Sequence, residues 1–333
     1  MSLIIQKYGG TSLADQDSRD SLCAKVASAK ASGDQVVLVV SAMGRRGDPY
    51  ATDTLLDLLN EFPGGAGPQL TDLMASCGEA ISSCVIAALL NSKGIKALPM
   101  TAYTAGIHAE GAFGDAMTAE LDPARIKAVL EAGVVPVVTG FQGVDENGSI
   151  LTLGRGGSDT TAVAIGAALN ADYVDIYKDV PGVAKADPRI IPEVPFMKFL
   201  DYDSMFRLAN HGARVLHDKS AILARDHNIK IRVRSTFDNR EGTLIGKLGA
   251  GEAIPDFIGL ATCPAPDSGL RVTAVFAPKA GSVGVARVAK IATNCGFPSK
   301  AVDSGDPNAA AFLCEASFGK GFVRKLFSEL TKA

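Results

Sequence analysis

This 333-residue chain lacks several features, and each absence narrows what it can be. It has 33 Lys and Arg against 36 Asp and Glu, a net charge of -3, and no basic run, so the electrostatic footprint of a nucleic-acid binder is missing. The six cysteines (Cys23, Cys77, Cys84, Cys263, Cys295, Cys314) form no CxxC pair, which argues against a zinc site or a disulfide framework and leaves buried free thiols as the expectation. The four histidines (His108, His211, His217, His227) fall at no metal-ligand spacing and read as structural or surface residues. No apolar run reaches the roughly 18 residues of a membrane span, and Met1 to Ile5 lead straight into a strand without a charged leader, so no membrane partner and a cytoplasmic location are expected. The Gly-x4-Gly-Lys-Ser/Thr spacing of a Walker loop and the Gly-x-Gly-x-x-Gly spacing of a dinucleotide fold are both absent. What remains is 47% hydrophobic, enough to bury the core of one large domain and a small one.

Strand-like and helix-like stretches alternate as far as about residue 245. Leu3-Gln6, Gln35-Val40, Lys96-Pro99, Val134-Thr139, Tyr173-Tyr177 and Lys230-Ser235 read as strands. Helices are expected near Asp17-Ala31, from Thr52, and over Asp72-Asn91, Pro123-Ala132, Thr160-Leu169, Ser204-Ala209 and Asp218-Arg225. This alternation predicts an α/β fold with a mostly parallel sheet sandwiched between helices. Gly106 to Asp115 reads as a polar segment, and Phe141 to Gly148 as a turn or hairpin tip. Gly, Pro, Asp and Asn cluster between Phe237 and Pro255, which sets the expected boundary between domains at 1–245 and 254–333. Beyond it, strands at Phe257-Ala261, Leu270-Phe276, Phe297-Val302 and Ala309-Cys314, with helices at Val283-Asn294 and Lys320-Leu330, describe a small α/β unit.

Two glycine loops stand at strand ends. Leu3-Ile-Ile-Gln-Lys-Tyr-Gly-Gly-Thr-Ser12 runs a strand into Gly9 and Gly10, with Lys7 at the strand end. Leu153-Gly-Arg-Gly-Gly-Ser-Asp-Thr-Thr-Ala162 places Arg155, Gly156 and Gly157 where a helix begins, with Ser158 or Asp159 as its expected N-cap. Backbone N–H groups and the positive helix end suit an anion, and two such loops, each with a cation, suggest a polyphosphate.

Taken together, the motifs resemble aspartate kinases, a branch of the amino-acid kinase superfamily, over about residues 3 to 245. They are Lys7-Tyr-Gly-Gly-Thr-Ser12, Val39-Val-Ser-Ala-Met-Gly44, Gly47-Asp-Pro-Tyr-Ala-Thr-Asp53, Ser76-Cys-Gly-Glu79, Gly140-Phe-Gln-Gly143, Gly154-Arg-Gly-Gly-Ser-Asp159, Ala186-Asp-Pro-Arg189 and Gly212-Ala-Arg-Val-Leu216. The Gly-Asp-Pro-Tyr-Ala-Thr-Asp piece is similar to monofunctional Gram-positive aspartokinases. The resemblance implies the amino-acid kinase fold and transfer of phosphate from ATP with Mg²⁺ to the side-chain carboxylate of L-aspartate, giving 4-phospho-L-aspartate for lysine, threonine, methionine and diaminopimelate synthesis. It assigns Lys7 to the transferring phosphate, backed by Gly9, Gly10 and Ser12, and gives Asp159 the task of orienting Lys7. Glu79 would meet the substrate ammonium and Arg155 its α-carboxylate, with Thr52 and Ser158 as further substrate ligands. The nucleotide would meet Gly156, Gly157, Lys178, Asp179, Ala184, Lys185, Asp187, Arg189 and Arg214. An aspartate carboxylate, with a pKa of about 3.9, is already an anion near neutral pH, so no general base is required.

Two departures qualify the likeness. Lys178, Ala184 and Lys185 stand where the family pattern has Thr/Ser, an aromatic residue and Thr, and Arg214 replaces a lysine, presenting a planar fork in place of a compact ammonium. Residues 254 to 333 leave room for one ACT-like unit where the family usually carries two, which makes feedback by lysine or threonine doubtful and leaves homodimerisation as the role expected of that unit. The alternatives are a kinase of another small carboxylate, a carbamate or a nucleoside monophosphate, and a non-catalytic amino-acid sensor that kept the fold.

Overall fold

The computed structural model describes residues 1–213, 215–249, 253–265 and 269–332. In chain order its elements begin with β1 (Leu3–Tyr8), α1 (Gln16–Ala31), β2 (Gln35–Val40), α2 (Thr52–Asp57), α3 (Pro68–Ser92), β3 (Ala97–Met100), β4 (Ile107–Glu110), β5 (Met117–Leu121) and α4 (Ala124–Glu131). Next come β6 (Val135–Thr139), β7 (Gln142–Val144), β8 (Ile150–Thr152), α5 (Gly157–Leu169), β9 (Tyr173–Lys178), β10 (Phe199–Asp201), α6 (Tyr202–Asn210), α7 (Asp218–Asp226), β11 (Ile231–Ser235) and β12 (Thr243–Gly246). The chain finishes with β13 (Phe257–Ala265), β14 (Gly269–Phe276), α8 (Gly281–Asn294), β15 (Lys300–Val302), β16 (Ala309–Glu315) and α9 (Ala316–Thr331).

The packing forms two compact units, Met1–Pro181 with Leu223–Glu241, and Gly182–Ile222 with Gly242–Ala333. This differs from the sequence division between 245 and 254. Residues after Gly182 carry their apolar side chains into the C-terminal core, where Ala186, Ile190 and Val194 pack with Leu260, Phe276, Phe312 and Phe322.

In the first unit the main sheet runs β11-β9-β1-β2-β6-β3, all parallel. Its central strands are buried along almost their whole length, which is why Val36 to Val40 of β2 read as an unbroken apolar run. Helix α5 approaches this sheet closely because it is built from small residues; a Cβ on Gly166 would lie 2.6 Å from Val174. A second sheet, β5-β4-β7-β8, joins short strands. Strand β4 lies in the segment read as polar, where Gly106, Gly111 and Gly114 obscure its alternating burial, and β5 lies in a stretch given no element.

Helix α3 bears on the expectation that no segment spans a membrane. By length and composition it is apolar enough to cross a membrane, yet half of its most apolar window is buried inside the fold. Asp72 and Glu79 on it are each 2% exposed and hydrogen-bonded to protein groups, which marks α3 as a core helix.

In the second unit β10 and β12 form a parallel pair. Strands β13-β14-β16-β15 form an antiparallel sheet with α8 and α9 contributing to its core, matching the expected small α/β unit and lengthening several of its elements. Short β10 and β12 were not anticipated, since three or four residues carry too little periodicity to be seen.

Candidate active site

Strand alternation assembles the centre of the site. Lys7 on β1 lies opposite Ile176 on β9, so the residue two further along β9, Lys178, shares a face with Lys7. That face meets α5, and Asp159 in its first turn receives both ammonium groups. Lys7 Nζ lies 2.6 Å from Asp159 Oδ1, and Lys178 Nζ lies 3.0 Å from Asp159 Oδ2. The side chains of Lys7 and Asp159 are 7% and 4% exposed, whereas Lys178 keeps 21%. Burial opposes the Asp159 charge, but Lys178 and Lys7 together overcome it and hold the carboxyl at about 2. Burial also lowers Lys7, against the pull of Asp159 and with repulsion from Lys178 adding to the shift.

Glu79 projects from α3 into the same buried region. One carboxylate oxygen accepts a hydrogen bond from the Ala42 N–H at 2.9 Å, and the other has no hydrogen-bond partner. Burial pushes Glu79 up to about 8, with the Ala42 hydrogen bond and Lys7 pulling the other way. A buried carboxyl with one open oxygen is suited to a ligand that brings its own positive charge.

The glycine loops fit around these charges. A Cβ on Gly9 would stand 3.8 Å from Lys7 Nζ, so the bare Gly9 backbone is beside the ammonium. A Cβ on Gly10 would come within 2.6 Å of both the Ala42 and Gly44 carbonyl oxygens; the Gly44 N–H donates to Gly10 O, locking the two loops together. Ser12 is fully buried and accepts a hydrogen bond from the Thr236 hydroxyl at 2.7 Å, supporting the loop from beneath.

The expected cap of α5 is corrected. Gly156, in the left-handed region with φ 71°, stands at the cap, and Gly157 opens the helix. Ser158 and Asp159 therefore lie in the first turn, and their side chains are free for the site rather than spent on capping. Ser158 Oγ bonds to Ser41 Oγ at 3.0 Å. A Cβ on Gly157 would collide with Phe141 and Leu153, which shows how tightly this turn is seated.

Other expected residues are not gathered by contacts to this cluster. Arg155 is exposed and its guanidinium has no hydrogen-bond or ion-pair partner among the described residues. Thr52 opens α2 and is half-buried. Asp179 is exposed and pairs with Arg45 at 3.1 Å. Ala184, Lys185, Asp187 and Arg189 belong to the second unit. There Ala184 bridges Phe196, Lys185 O accepts from the Leu260 N–H, and Arg189 grips Asp187 and holds its carboxyl below the usual range. Arg214 lies outside the described residues.

Several positioning residues were missed in the sequence. Asp72, two turns before Glu79 on the same face of α3, accepts hydrogen bonds from the Gly114 and Thr152 N–H groups and from the Thr152 hydroxyl. It thereby ties the helix bearing Glu79 to the strand that feeds the Gly154–Asp159 turn. Gln142 donates to Ser76 O at 3.1 Å and adds a second tie. Phe141 holds φ 72°, which glycine adopts freely and phenylalanine seldom does. It is kept there by the Thr161 hydroxyl on its N–H and the Leu153 N–H on its carbonyl. A repeat of buried acids seven residues apart was the available signal for Asp72; nothing in the sequence marks Phe141 as left-handed.

Among the described residues no three His, Cys, Asp or Glu side chains converge as metal ligands.

A model of the amino acid kinase family matches residues 2–235. Aspartokinase 1 of Bacillus subtilis is 43% identical over 245 residues, which are 74% of this chain and 61% of that protein. The aspartokinase of Mycolicibacterium smegmatis is 39% identical over 280 residues, 84% of this chain and 65% of its own length. The chain thus spans about three fifths of the length of these curated relatives. Among solved structures, aspartate kinase from Synechocystis is 30% identical with a TM-score of 0.65, covering 97% of this chain and 54% of that one. The E. coli aspartokinase III structure in complex with aspartate and ADP gives a TM-score of 0.82 at 21% identity, covering 99% of this chain and 100% of that one, a likeness of fold.

Proposed function

The chain belongs to the amino acid kinase family, and we propose that it is an aspartate kinase, transferring the terminal phosphoryl group of ATP to the side-chain carboxylate of L-aspartate. The observation that carries this reading is Glu79: buried, with one oxygen unpartnered, in the same region as the Lys7–Asp159 pair. An α-ammonium group supplies the charge that Glu79 lacks, which favours a free amino acid over an N-acetylated one. The curated relatives named above are aspartokinases, and the E. coli enzyme was solved with aspartate and ADP, which supports the same choice of substrates.

In this reading the substrate's side-chain carboxylate, already ionised, forms a bond to the γ-phosphorus while the bond to the β–γ bridging oxygen breaks, releasing ADP and 4-phospho-L-aspartate. Lys7 neutralises charge on the moving phosphoryl group, Asp159 fixes Lys7, and the Gly9 and Gly10 backbone leaves room for the phosphate. Mg²⁺ accompanies the nucleotide and adds charge neutralisation when bound. Glu79 holds the ammonium, Ser158 lies within the buried site, and exposed Arg155 is free to close on the α-carboxylate with its two-pronged fork. Lys185, Asp187, Arg189 and Arg214 are proposed for the nucleotide end. Residues 254–333 are proposed to be a single ACT-like module pairing two copies of the chain. Because ATP and aspartate are cytoplasmic metabolites, the reaction is placed in the cytoplasm, as the first step toward lysine, threonine, methionine and diaminopimelate.

The test is a coupled assay of ADP release with MgATP and, in turn, aspartate, glutamate, N-acetylglutamate and carbamate, with hydroxylamine trapping of any acyl phosphate. Turnover with aspartate alone is expected. No aspartate-dependent ADP, or preference for the acetylated acid, would overturn the reading.

A further inference from the structure

We propose that Lys178 is a second phosphate-binding cation of the site, acting beside Lys7 on the transferring phosphoryl group; this rests on reading the site as one of phosphoryl transfer. One carboxylate, Asp159, takes a lysine on each oxygen, at 2.6 and 3.0 Å. A single carboxylate neutralises only one of them. The other nearby acid, Glu79, is held largely protonated by burial at neutral pH, and Asp179, next in sequence to Lys178, is turned outward to Arg45. The cluster therefore carries more positive than negative charge around the buried Lys7–Asp159 pair, an arrangement that costs stability unless an anion arrives to balance it.

The geometry indicates where the anion sits. Both ammoniums are bound to one carboxylate, close enough together to straddle a single phosphoryl group. Lys7 faces the open backbone of Gly9, and Lys178 is the more accessible of the two, at 21% against 7%. Asp159 lies in the first turn of α5, so the positive end of that helix adds to the same field. If Lys178 served only to neutralise Asp159 it would be redundant, since Lys7 already does so at the shorter distance. Its repulsion of Lys7, which helps to lower that group, makes it a cost in the free protein and an asset once phosphate binds.

The experiment compares the full-length wild type with Lys178→Thr and Lys178→Arg by calorimetric titration with ATP, with and without Mg²⁺, by steady-state kinetics, and by thermal melting. Lys178→Thr is expected to weaken ATP binding about tenfold, most clearly without Mg²⁺, and to lower kcat by about 10²-fold, with the KM for aspartate within about twofold of wild type. It is also expected to melt no lower than wild type, because removing a like charge relieves Lys7. Lys178→Arg should recover part of the ATP affinity. A purely structural lysine would show the opposite pattern, a lower melting point with ATP affinity unchanged, and that result overturns the proposal. If the wild type makes no ADP with aspartate, the acceptor assignment fails by itself; the ATP titration needs no acceptor and still decides the role of Lys178.

Discussion

The Lys7 ammonium and the Asp159 carboxylate meet at 2.6 Å with both side chains almost closed to solvent. Removing the acid leaves the buried Lys7 and the half-buried Lys178 without a counter-charge, so Asp159→Ala is expected to cost about 3–5 kcal/mol of stability as well as abolishing turnover. Denaturant unfolding checks the first and the ADP assay the second. The pH sense follows from the lowered pKa. The carboxylate's contribution is complete above its unfolded value of about 3.9 and is lost as pH falls toward 2. Asp159→Asn should therefore lose the part of the wild-type acid transition that lies between those limits. An Asp159→Ala protein as stable as wild type would show that the pair contributes nothing.

Glu79 has the opposite linkage. Burial raises it to about 8, so in the ligand-free site it holds a proton at neutral pH and must release it to pair with an ammonium. Aspartate affinity should rise with pH, by at most about tenfold per unit, and level off above 8. In Glu79→Gln the slope should disappear and the KM for aspartate rise at every pH. Stability moves in the other direction: a raised folded pKa gives a contribution present at low pH and lost as pH climbs through 8, so Glu79→Gln should outlast wild type at pH 9. A wild-type KM independent of pH between 6 and 8 would rule out this proton release.

Asp72 acts at a distance from any substrate. Its side chain satisfies three donors in the buried junction between α3 and β8, and Asp72→Ala should cost about 2–3 kcal/mol because those donors lose their partner. Its effect on catalysis should appear in kcat, through a loosened Gly154–Asp159 turn. Asp72→Asn retains an acceptor oxygen and should recover much of both. Loss of stability with kcat intact would separate the junction from the site.

The parts of the fold legible in the sequence are those with a strong period or composition. The central strands β2 and β6 are nearly continuous apolar runs because both faces of a parallel sheet are covered, and β1 and β9 begin in the same way before their polar residues. The glycine loops were legible because Gly10 and Gly157 stand where chain geometry leaves no room for a side chain. Strands β10 and β12 were not, since Phe199 pairs with Leu244 far along the chain and neither segment has a local period; β4 and β5, though close in sequence, are hidden among glycines and charges. Within the site, Lys7, Glu79 and Asp159 were marked by type and spacing. The ion pair from Lys178 to Asp159 depends on the register between β1 and β9 and on the placement of α5, which only the folded chain supplies. The cap at Gly156 was missed for a related reason: Ser and Asp are preferred at helix starts, but here their side chains have other partners and glycine alone meets the left-handed turn.

The adjacent glycines Gly9 and Gly10 should respond differently to a methyl group. Gly9 is extended, with φ -75° and ψ 168°, a conformation open to any residue, and the nearest atom to an added Cβ is Lys7 Nζ at 3.8 Å. Gly9→Ala should fold with a melting point close to wild type and yet bind ATP more weakly, because the methyl group crowds the space in which phosphate meets Lys7. At Gly10 the obstacles are two backbone oxygens at 2.6 Å, Ala42 O and Gly44 O, neither of which can rotate away. Gly10→Ala must therefore push apart the loop that places the Ala42 N–H on Glu79, at a cost of about 1–3 kcal/mol in stability. Its kinetic signature should be a raised KM for aspartate in addition to weaker ATP binding, since the displaced loop reaches the acceptor side. Thermal melting and the two KM values distinguish the variants, and equal melting points for Gly9→Ala and Gly10→Ala would show that the loops yield more easily than these contacts imply.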